Sequence, residues 1–386
     1  MLARDRGHQV SGDDVMRLWG VEGDAAPLMN AIAERRLWNQ LIARTGLRRP
    51  AEVVGWFGAM QAQEFDAAKW ALALRMADGA VENDVQRAFD QGRILRTHVM
   101  RPTWHFVTPA DIRWLQELTA PRVQRGMASY NRRLELDART LTRAVGVFER
   151  ALRDRCYLTR TELGERLQRA AMPMAGPRLA QAAMHAELEG VICSGPRRGK
   201  QFTYALVAER SPNAARLPRD EALATLGRRF FSSHAPATVR DFVWWSGLST
   251  ADARRAADII GAAREEVGGC VYWTAGQAPR GARRAIQVHL LPIYDEYLVA
   301  YRDRQAVPHG APSLVASSSR GQVIFQHALI ADGQVAGTWR VQRQPRLNLI
   351  RVVPLRRLTG PERRGVADAA DRYGRFLAAP VELAID

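Results

Sequence analysis

Leu158-Thr159-Arg160-Thr161-Glu162 is the stretch from which the fold can be read. Thr159 and Glu162 stand three apart, the spacing at which a hydroxyl and a carboxylate each close a free backbone N–H at a helix start. A helix is therefore expected to about Ala171, and after the proline-bounded loop 173–177 a second helix over 178–189, stopped by Gly190. Residues 191–194 read as a strand, Gly195-Pro196-Arg197-Arg198-Gly199-Lys200 as a turn, and 201–206 as the returning strand. Helices followed by a basic hairpin form a helix-turn-helix with a wing. Arg178, which opens the second helix, and Arg197, Arg198 and Lys200 at the wing tip are then candidate phosphate contacts. A solvated hairpin turn is the alternative for the tip.

The same plan reads outward in both directions. Toward the N-terminus, Gly46 ends a first helical segment, Pro50 opens another over 51–60, and helices 67–76 and 81–90 follow, closed by Gly92. Two β-prone runs come next, 94–99 and 103–107, with Arg101-Pro102 between them. Toward the C-terminus, helix 221–231 leads through Ser233-His234-Ala235-Pro236-Ala237-Thr238 into helix 239–246, then helix 251–261 and a strand over 271–274. His234 reads as part of a helix-capping loop, and Trp244 and Trp245, mid-helix beside Phe242 and Val243, as core. After residue 283 the pattern changes to short β segments, 288–293, 322–329, 333–341 and 347–354, and a helix over 361–378. The expected fold is α+β and mainly helical. It has a flexible leader over 1–28, winged-helix units over 29–122, 123–218 and 219–282, and a β-rich closing domain over 283–386.

Between the second and third helices of the first unit lies Gly58-Ala59-Met60-Gln61-Ala62-Gln63-Glu64-Phe65-Asp66. On a continuous helix Gln61 and Gln63 would point about 200° apart, because each residue turns the helix by about 100°. They share a side only if the backbone is extended. A joint action of the two amides thus requires a short non-helical joint, which Asp66, a suitable N-cap for the helix that follows, supports. A solvated cap is the plainer reading of a Gln-x-Gln at a helix end.

Totals narrow the function. A net charge of +16 favours a polyanionic partner, most simply nucleic acid. Lys69 and Lys200 are the only lysines, so a GC-rich genome accounts for the preference for arginine; it does not account for the positive surplus. Three scattered cysteines, Cys156, Cys193 and Cys270, exclude a disulfide framework and a Cys-x-x-Cys metal knuckle, and no His-x-x-x-His pair occurs. No metal and no cofactor is expected. Neither an apolar run of spanning length nor an apolar N-terminal signal is readable, so no membrane partner and a cytoplasmic location are expected.

Four features together resemble one family, the winged-helix DNA glycosylases of the AlkZ type. They are the Met60-Gln61-Ala62-Gln63 joint, Arg101-Pro102-Thr103-Trp104-His105-Phe106-Val107, His234-Ala235-Pro236-Ala237-Thr238 through Trp244-Trp245-Ser246-Gly247-Leu248, and Leu291-Pro292 through Asp303-Arg304 with Gly337-Thr338-Trp339-Arg340 behind. The resemblance spans roughly residues 30–380 in the family's order. It implies three winged helices and a β-barrel-like domain around a concave DNA channel. It implies a catalytic pair at Gln61 and Gln63, since the family signature is Gln-aliphatic-Gln in one branch and Gln-aliphatic-Asp in a sister branch. Ala62 is smaller than the aliphatic residue sometimes found there. The lesion-recognition hairpin of the family has no clear counterpart in this sequence.

The chemistry so implied suits amides. A guanine alkylated at N7 is cationic and leaves without much acid assistance. The enzyme then needs to hold a water against C1′ and face a sugar cation, as in glycoside hydrolysis. An amide oxygen accepts from the water while its NH2 donates to a phosphate or to the partner amide. No lysine lies near the pair except Lys69, which the following helix carries away, so hydrolysis without strand cleavage is expected. The expected substrate is duplex DNA bearing alkylated bases, crosslinks among them, in repair or in self-resistance to a genotoxin, and the expected state a monomer. DNA contacts are expected from Arg101, His105, Arg178, Arg197, Arg198, Lys200, Tyr301, Arg302 and Arg304. A hydrogen-bonded core histidine is the alternative for His105, and Asp295 and Glu296 read as partners of Arg302 and Arg304. The competing function is a non-enzymatic winged-helix protein, a regulator or a lesion- or drug-sequestering factor.

Overall fold

Local capping signals set the helix starts. In the computed structural model, which describes residues 25–43, 45–276, 286–302, 315–317, 323–343 and 347–386, Thr159 Oγ1 accepts from Glu162 N at 3.3 Å and Glu162 accepts from Thr159 N at 2.7 Å. Of the leader expected over 1–28, residues 1–24 lie outside the described residues, and 25–28 belong to the first helix and are not part of a leader.

The first helices are α1 (Ala25–Asn39) and α2 (Pro50–Phe57), followed by the two-residue strand β1 (Met60–Gln61). Helices α3 (Phe65–Ala73) and α4 (Glu82–Asp90) lead into β2 (Leu95–Val99) and β3 (Arg101–Val107), which with β1 form a sheet of order β1-β3-β2. Arg101 and Pro102 belong to β3 and are not the turn expected from the sequence. The reversal falls on Met100, which takes a left-handed φ of 63°. Helix α3 begins at Phe65 behind Glu64, so Asp66 lies in its first turn and is not the N-cap; there it pairs with Lys69 at 2.9 Å.

Residues 108–157, to which the sequence analysis assigned no elements, form α5 (Ile112–Arg133) and α6 (Ala138–Ala151). The next group is β4 (Leu158–Thr159), α7 (Arg160–Arg169), α8 (Gly176–Leu188), β5 (Ile192–Ser194) and β6 (Thr203–Leu206), with sheet order β4-β6-β5, and the single turn α9 (Val207–Arg210). Then come α10 (Arg219–Ser233), α11 (Val239–Ser246), α12 (Thr250–Ile259) and the hairpin β7 (Ala263–Val267) with β8 (Cys270–Thr274). Trp245 is fully buried but Trp244 stays 39% exposed. Adjacent helical residues point about 100° apart, so only one of the pair can reach the core.

The C-terminal part is mixed. It contains β9 (Val288–Leu291), α13 (Glu296–Val299), a two-stranded pair of β10 (Val315–Ser317) and β11 (Val323–Phe325), then β12 (His327–Ala331), β13 (Gln334–Gln342), β14 (Asn348–Pro354), α14 (Gly360–Leu377) and β15 (Val381–Ile385). Its main sheet has the order β15-β14-β13-β12-β9 and curls as half a barrel. The last strand, absent from the sequence-based expectation, adds parallel to β14 through Asn348↔Val381 to Val352↔Ile385. The molecule is thus α+β and mainly helical.

Packing joins distant segments. One apolar cluster combines Leu95 and Met100 of the first group with Phe230, Phe242 and Trp245 of α10 and α11 and with Tyr301. Another wraps Trp70 and Leu74 around Leu290, Trp339, Tyr373 and Phe376 of the C-terminal part. The junction of these groups is where the Gln61–Gln63 segment lies.

Candidate active site

The joint is extended. β1 ends at Gln61, Gln61 faces His105 across the antiparallel pair with β3, and Ala62 N donates to Trp104 O at 2.8 Å. The backbone is therefore not helical across the triplet, as a joint action of the amides requires. Two outside side chains hold it through three hydrogen bonds. Glu296 accepts from Gln61 N at 2.5 Å, and Arg96, from β2, donates through Nε to Ala62 O at 2.9 Å and through Nη2 to Gln63 O at 3.3 Å. The guanidinium of Arg96 lies 4.3 Å from the Trp104 ring centroid and 4.7 Å from that of Phe202, and burial lowers its pKa to about 10. Sequence reasoning missed Arg96. Its signal is weak, since a lone arginine in a β-prone run most often points to water.

The two amides present opposite poles. Gln63 Oε1 accepts from Trp104 N at 3.3 Å, which leaves its NH2 as the free end. Gln61 Oε1 is buried and has no hydrogen-bond partner among the described residues. Gln63 lines a cleft of about 390 Å³ together with Arg96, Arg197, Phe202, His327 and Arg343. Three arginines against the carboxylates of Glu64 and Asp66 leave its lining polar with a small positive excess. Lys69 is turned away, its Nζ 2.6 Å from Glu82 and 2.9 Å from Asp66.

Among the described residues Glu296 and Asp295 do not pair with Arg302, and Arg304 lies outside them. Asp295 accepts from both terminal nitrogens of Arg75 at 2.7 and 2.8 Å, with both side chains fully buried. Glu296 accepts from Gln61 N and, at 2.9 Å, from Trp245 Nε1, and His234 Nε2 lies 3.4 Å away. Burial pushes the Glu296 carboxyl upward, but His234 and the N–H donors outweigh that and hold it well below the usual carboxylate range. His234 caps the end of α10 and stacks on Phe230, and burial lowers its pKa. Asp295 N-caps α13, so the two acidic side chains diverge at a helix start and do not alternate along a strand.

The remaining candidates scatter. Arg101 lies on the same face of β3 as His105, half-buried, with Nε and Nη2 unpartnered among the described residues; burial lowers its pKa and Glu296 opposes this. His105 is fully buried at the joint, so it is not a surface contact for DNA, and its Nε2 has no hydrogen-bond partner among the described residues. Tyr301 is also interior, donating to His234 O at 2.8 Å and accepting from Gln40 Nε2 at 2.9 Å beneath the Arg36 guanidinium, so it does not line a channel. Arg302 is exposed beside Trp244, while Arg304 lies outside the described residues.

The cations of the hairpin between β5 and β6 do not form a single clamp. Arg197 turns into the cleft against Phe65 and Phe202, Arg198 is held by Glu162 at 2.7 Å, and Lys200 is exposed. Arg178 pairs with Glu135 at 3.3 Å. Among the described residues no group of three or more His, Cys, Asp or Glu side chains is placed to hold a metal ion, and no helix is long and apolar enough to cross a membrane.

Comparison with known proteins bears on the family and the fold. Residues 54–376 match the family described as DNA glycosylase AlkZ-like. An interstrand DNA cross-link repair glycosylase of Streptomyces sahachiroi is 26% identical over 312 residues, covering 76% of this chain and 82% of that protein. The solved structure of the Streptomyces sahachiroi DNA glycosylase AlkZ superimposes with a TM-score of 0.76 at 22% identity, covering 92% of this chain and 99% of that one; at that identity the likeness is one of fold.

Proposed function

The chain belongs to the AlkZ-like DNA glycosylase family, a DNA-repair enzyme that hydrolyses N-glycosyl bonds, and from that premise we propose that Gln61 and Gln63 are its catalytic pair and that its substrates are cationic N7-alkylpurines in duplex DNA. The observation that carries this is the extended joint, which puts two amides on one side of the chain with opposite poles free, the Gln63 amide at a cleft lined by Arg96, Arg197 and Arg343 and the Gln61 Oε1 buried. Gln61 Oε1 is the acceptor for the attacking water and faces the sugar cation; the Gln63 NH2 is the donor toward the sugar-phosphate.

A neutral amide is a weak base, so the reading limits the enzyme to labile, charged lesions and leaves uracil and other neutral bases untouched. With Lys69 committed to Glu82 and Asp66, no lysine near the pair is available for a Schiff base among the described residues, and release of the base without strand cleavage follows. In this reading the three helix–hairpin groups are winged helices over about 29–122, 123–218 and 219–282, and the chain acts as a cytoplasmic monomer. Arg101, Arg178, Arg197, Arg198, Lys200 and Arg302 contact DNA. Self-resistance to an alkylating or crosslinking genotoxin is the biological role that fits a lesion class of this kind.

The test is an excision assay on duplex containing N7-methylguanine, comparing wild type with Gln61→Ala and Gln63→Ala. Base release by the wild type, lowered at least about a hundredfold in each variant with duplex binding retained, supports the pair. Tight binding without release would leave a non-enzymatic DNA binder, and release that survives both substitutions would move the catalytic centre elsewhere.

A further inference from the structure

We infer that His105 is a third member of the catalytic centre, its Nε2 and the Gln61 Oε1 together holding the attacking water. The inference rests on the excision reading above. Its basis is the register of the joint.

Gln61 and His105 are directly opposite across β1 and β3. The bond from Ala62 N to Trp104 O marks the next pair along as hydrogen-bonded, so by alternation Gln61 and His105 form a non-bonded pair. Side chains at such positions share one face and approach most closely, with Cβ atoms about 4.5–5.5 Å apart.

The tautomer of His105 follows from its neighbour. Nδ1 lies 2.9 Å from Thr103 O, and a carbonyl can only accept, so Nδ1 carries the proton and Nε2 keeps a lone pair. Burial, reinforced by the Arg101 charge, brings the ring's pKa down to about 3 and keeps it neutral. Glu296 acts in the opposite direction and His98 adds to the lowering.

Two buried acceptors therefore belong to directly opposed residues, Gln61 Oε1 and His105 Nε2, and neither has a donor among the described residues. A buried polar atom left unbonded costs about 1–3 kcal/mol. Acceptors cannot satisfy each other. A water can satisfy both by donating one O–H to each, and its oxygen lone pair then remains for C1′. Thr103 Oγ1 and Arg101 Nη2, two and four residues back on the same face of β3, are likewise unpartnered among the described residues. The whole face thus offers polar atoms to a ligand.

His105 also supplies what a glutamine cannot. As the glycosidic bond breaks, its electron pair moves onto the departing purine and neutralises the N7 charge. The water oxygen then bonds to C1′, and one of its protons passes to His105 Nε2, leaving an alcohol and an imidazolium that later releases its proton to solvent. The oxonium formed at C1′ is a far stronger acid than an imidazolium, even one of lowered pKa, so this late transfer is downhill. An amide oxygen is a much weaker base than imidazole.

Single-turnover release of N7-methylguanine, duplex affinity and melting temperature are measured for wild type, Gln61→Ala, His105→Phe and His105→Gln. His105→Phe is expected to lower the rate at least about a hundredfold with affinity and melting unchanged, while His105→Gln, which restores an acceptor, recovers about tenfold or more of that loss. A folded His105→Phe that excises at the wild-type rate beside a slow Gln61→Ala overturns the role of His105 alone. A wild type that releases no base removes the excision reading and this one with it. Should His105→Phe fail to fold, a crystal structure of the wild type decides. A water within about 2.6–3.2 Å of both atoms supports the inference, and a direct bond from the Gln61 amide nitrogen to His105 Nε2 overturns it.

Discussion

The backbone N–H of Gln61 is bound at 2.5 Å by the carboxylate of Glu296, a residue 235 positions further along the chain. β1 is an edge strand, and the N–H at a non-bonded position of an edge points away from its neighbour, so the ladder offers it nothing. Glu296 closes that valence and, through Trp245 Nε1, ties the joint to α11.

Glu296→Ala leaves two buried N–H groups without an acceptor, and a loss of about 2–4 kcal/mol is expected in chemical denaturation. Glu296→Gln retains one acceptor oxygen and should lose less stability, yet slow base release as the joint loosens. Unchanged stability and unchanged single-turnover rates in both variants would remove Glu296 from this role.

The Arg75–Asp295 pair makes a separate prediction. Both side chains are fully buried, and Arg75 also donates to Ala71 O and Gln40 Oε1 at 2.8 and 3.0 Å. Asp295→Ala strands a buried cation and should destabilise the protein by about 3–5 kcal/mol. The double variant Arg75→Met with Asp295→Leu, which removes both charges, should be more stable than Asp295→Ala alone. A double variant no better than the single would show that the pair, and not its uncompensated half, carries the stability.

Glu362 gives a pH dependence with a definite sign. It accepts from both Arg356 terminal nitrogens at 2.5 and 2.9 Å and closes the N-terminus of α14 through Thr359 N at 2.8 Å. Arg356, followed by burial in the opposite direction and the Thr359 bonds, lowers its carboxyl to about 2. A folded value below the unfolded one, about 4.3, means the contribution is complete above pH 4.3 and disappears as the pH falls toward 2. Arg356 is half exposed, so the amount is about 1 kcal/mol. Melting of wild type and Glu362→Gln should differ at pH 7 and converge near pH 2; a gap that persists there would contradict the assignment.

Much of the chain was legible from its residues. The capping box at Thr159 and Glu162, the helix over 239–246 and the hairpin after Gly190 were all written in short-range chemistry. The 22-residue helix α5 and strand β15 were not read. β15 earns its place only by joining β14 about thirty residues earlier. Tyr301, in a stretch dense with tyrosine and charge, looked like a channel wall. It is interior because Gln40 and the His234 carbonyl satisfy its hydroxyl there.

The sequence by itself determined that the Gln61–Gln63 joint sits between two helices and that the protein is basic, because caps, periodicity and charge are settled within a few residues or by simple summation. Only the tertiary structure decided that Gln61 faces His105, that Glu296 reaches the joint's backbone and that Arg96 grips its carbonyls. Those relations depend on strand register and on which charges can find partners inside the fold, and no local stretch contains both halves of such a pair.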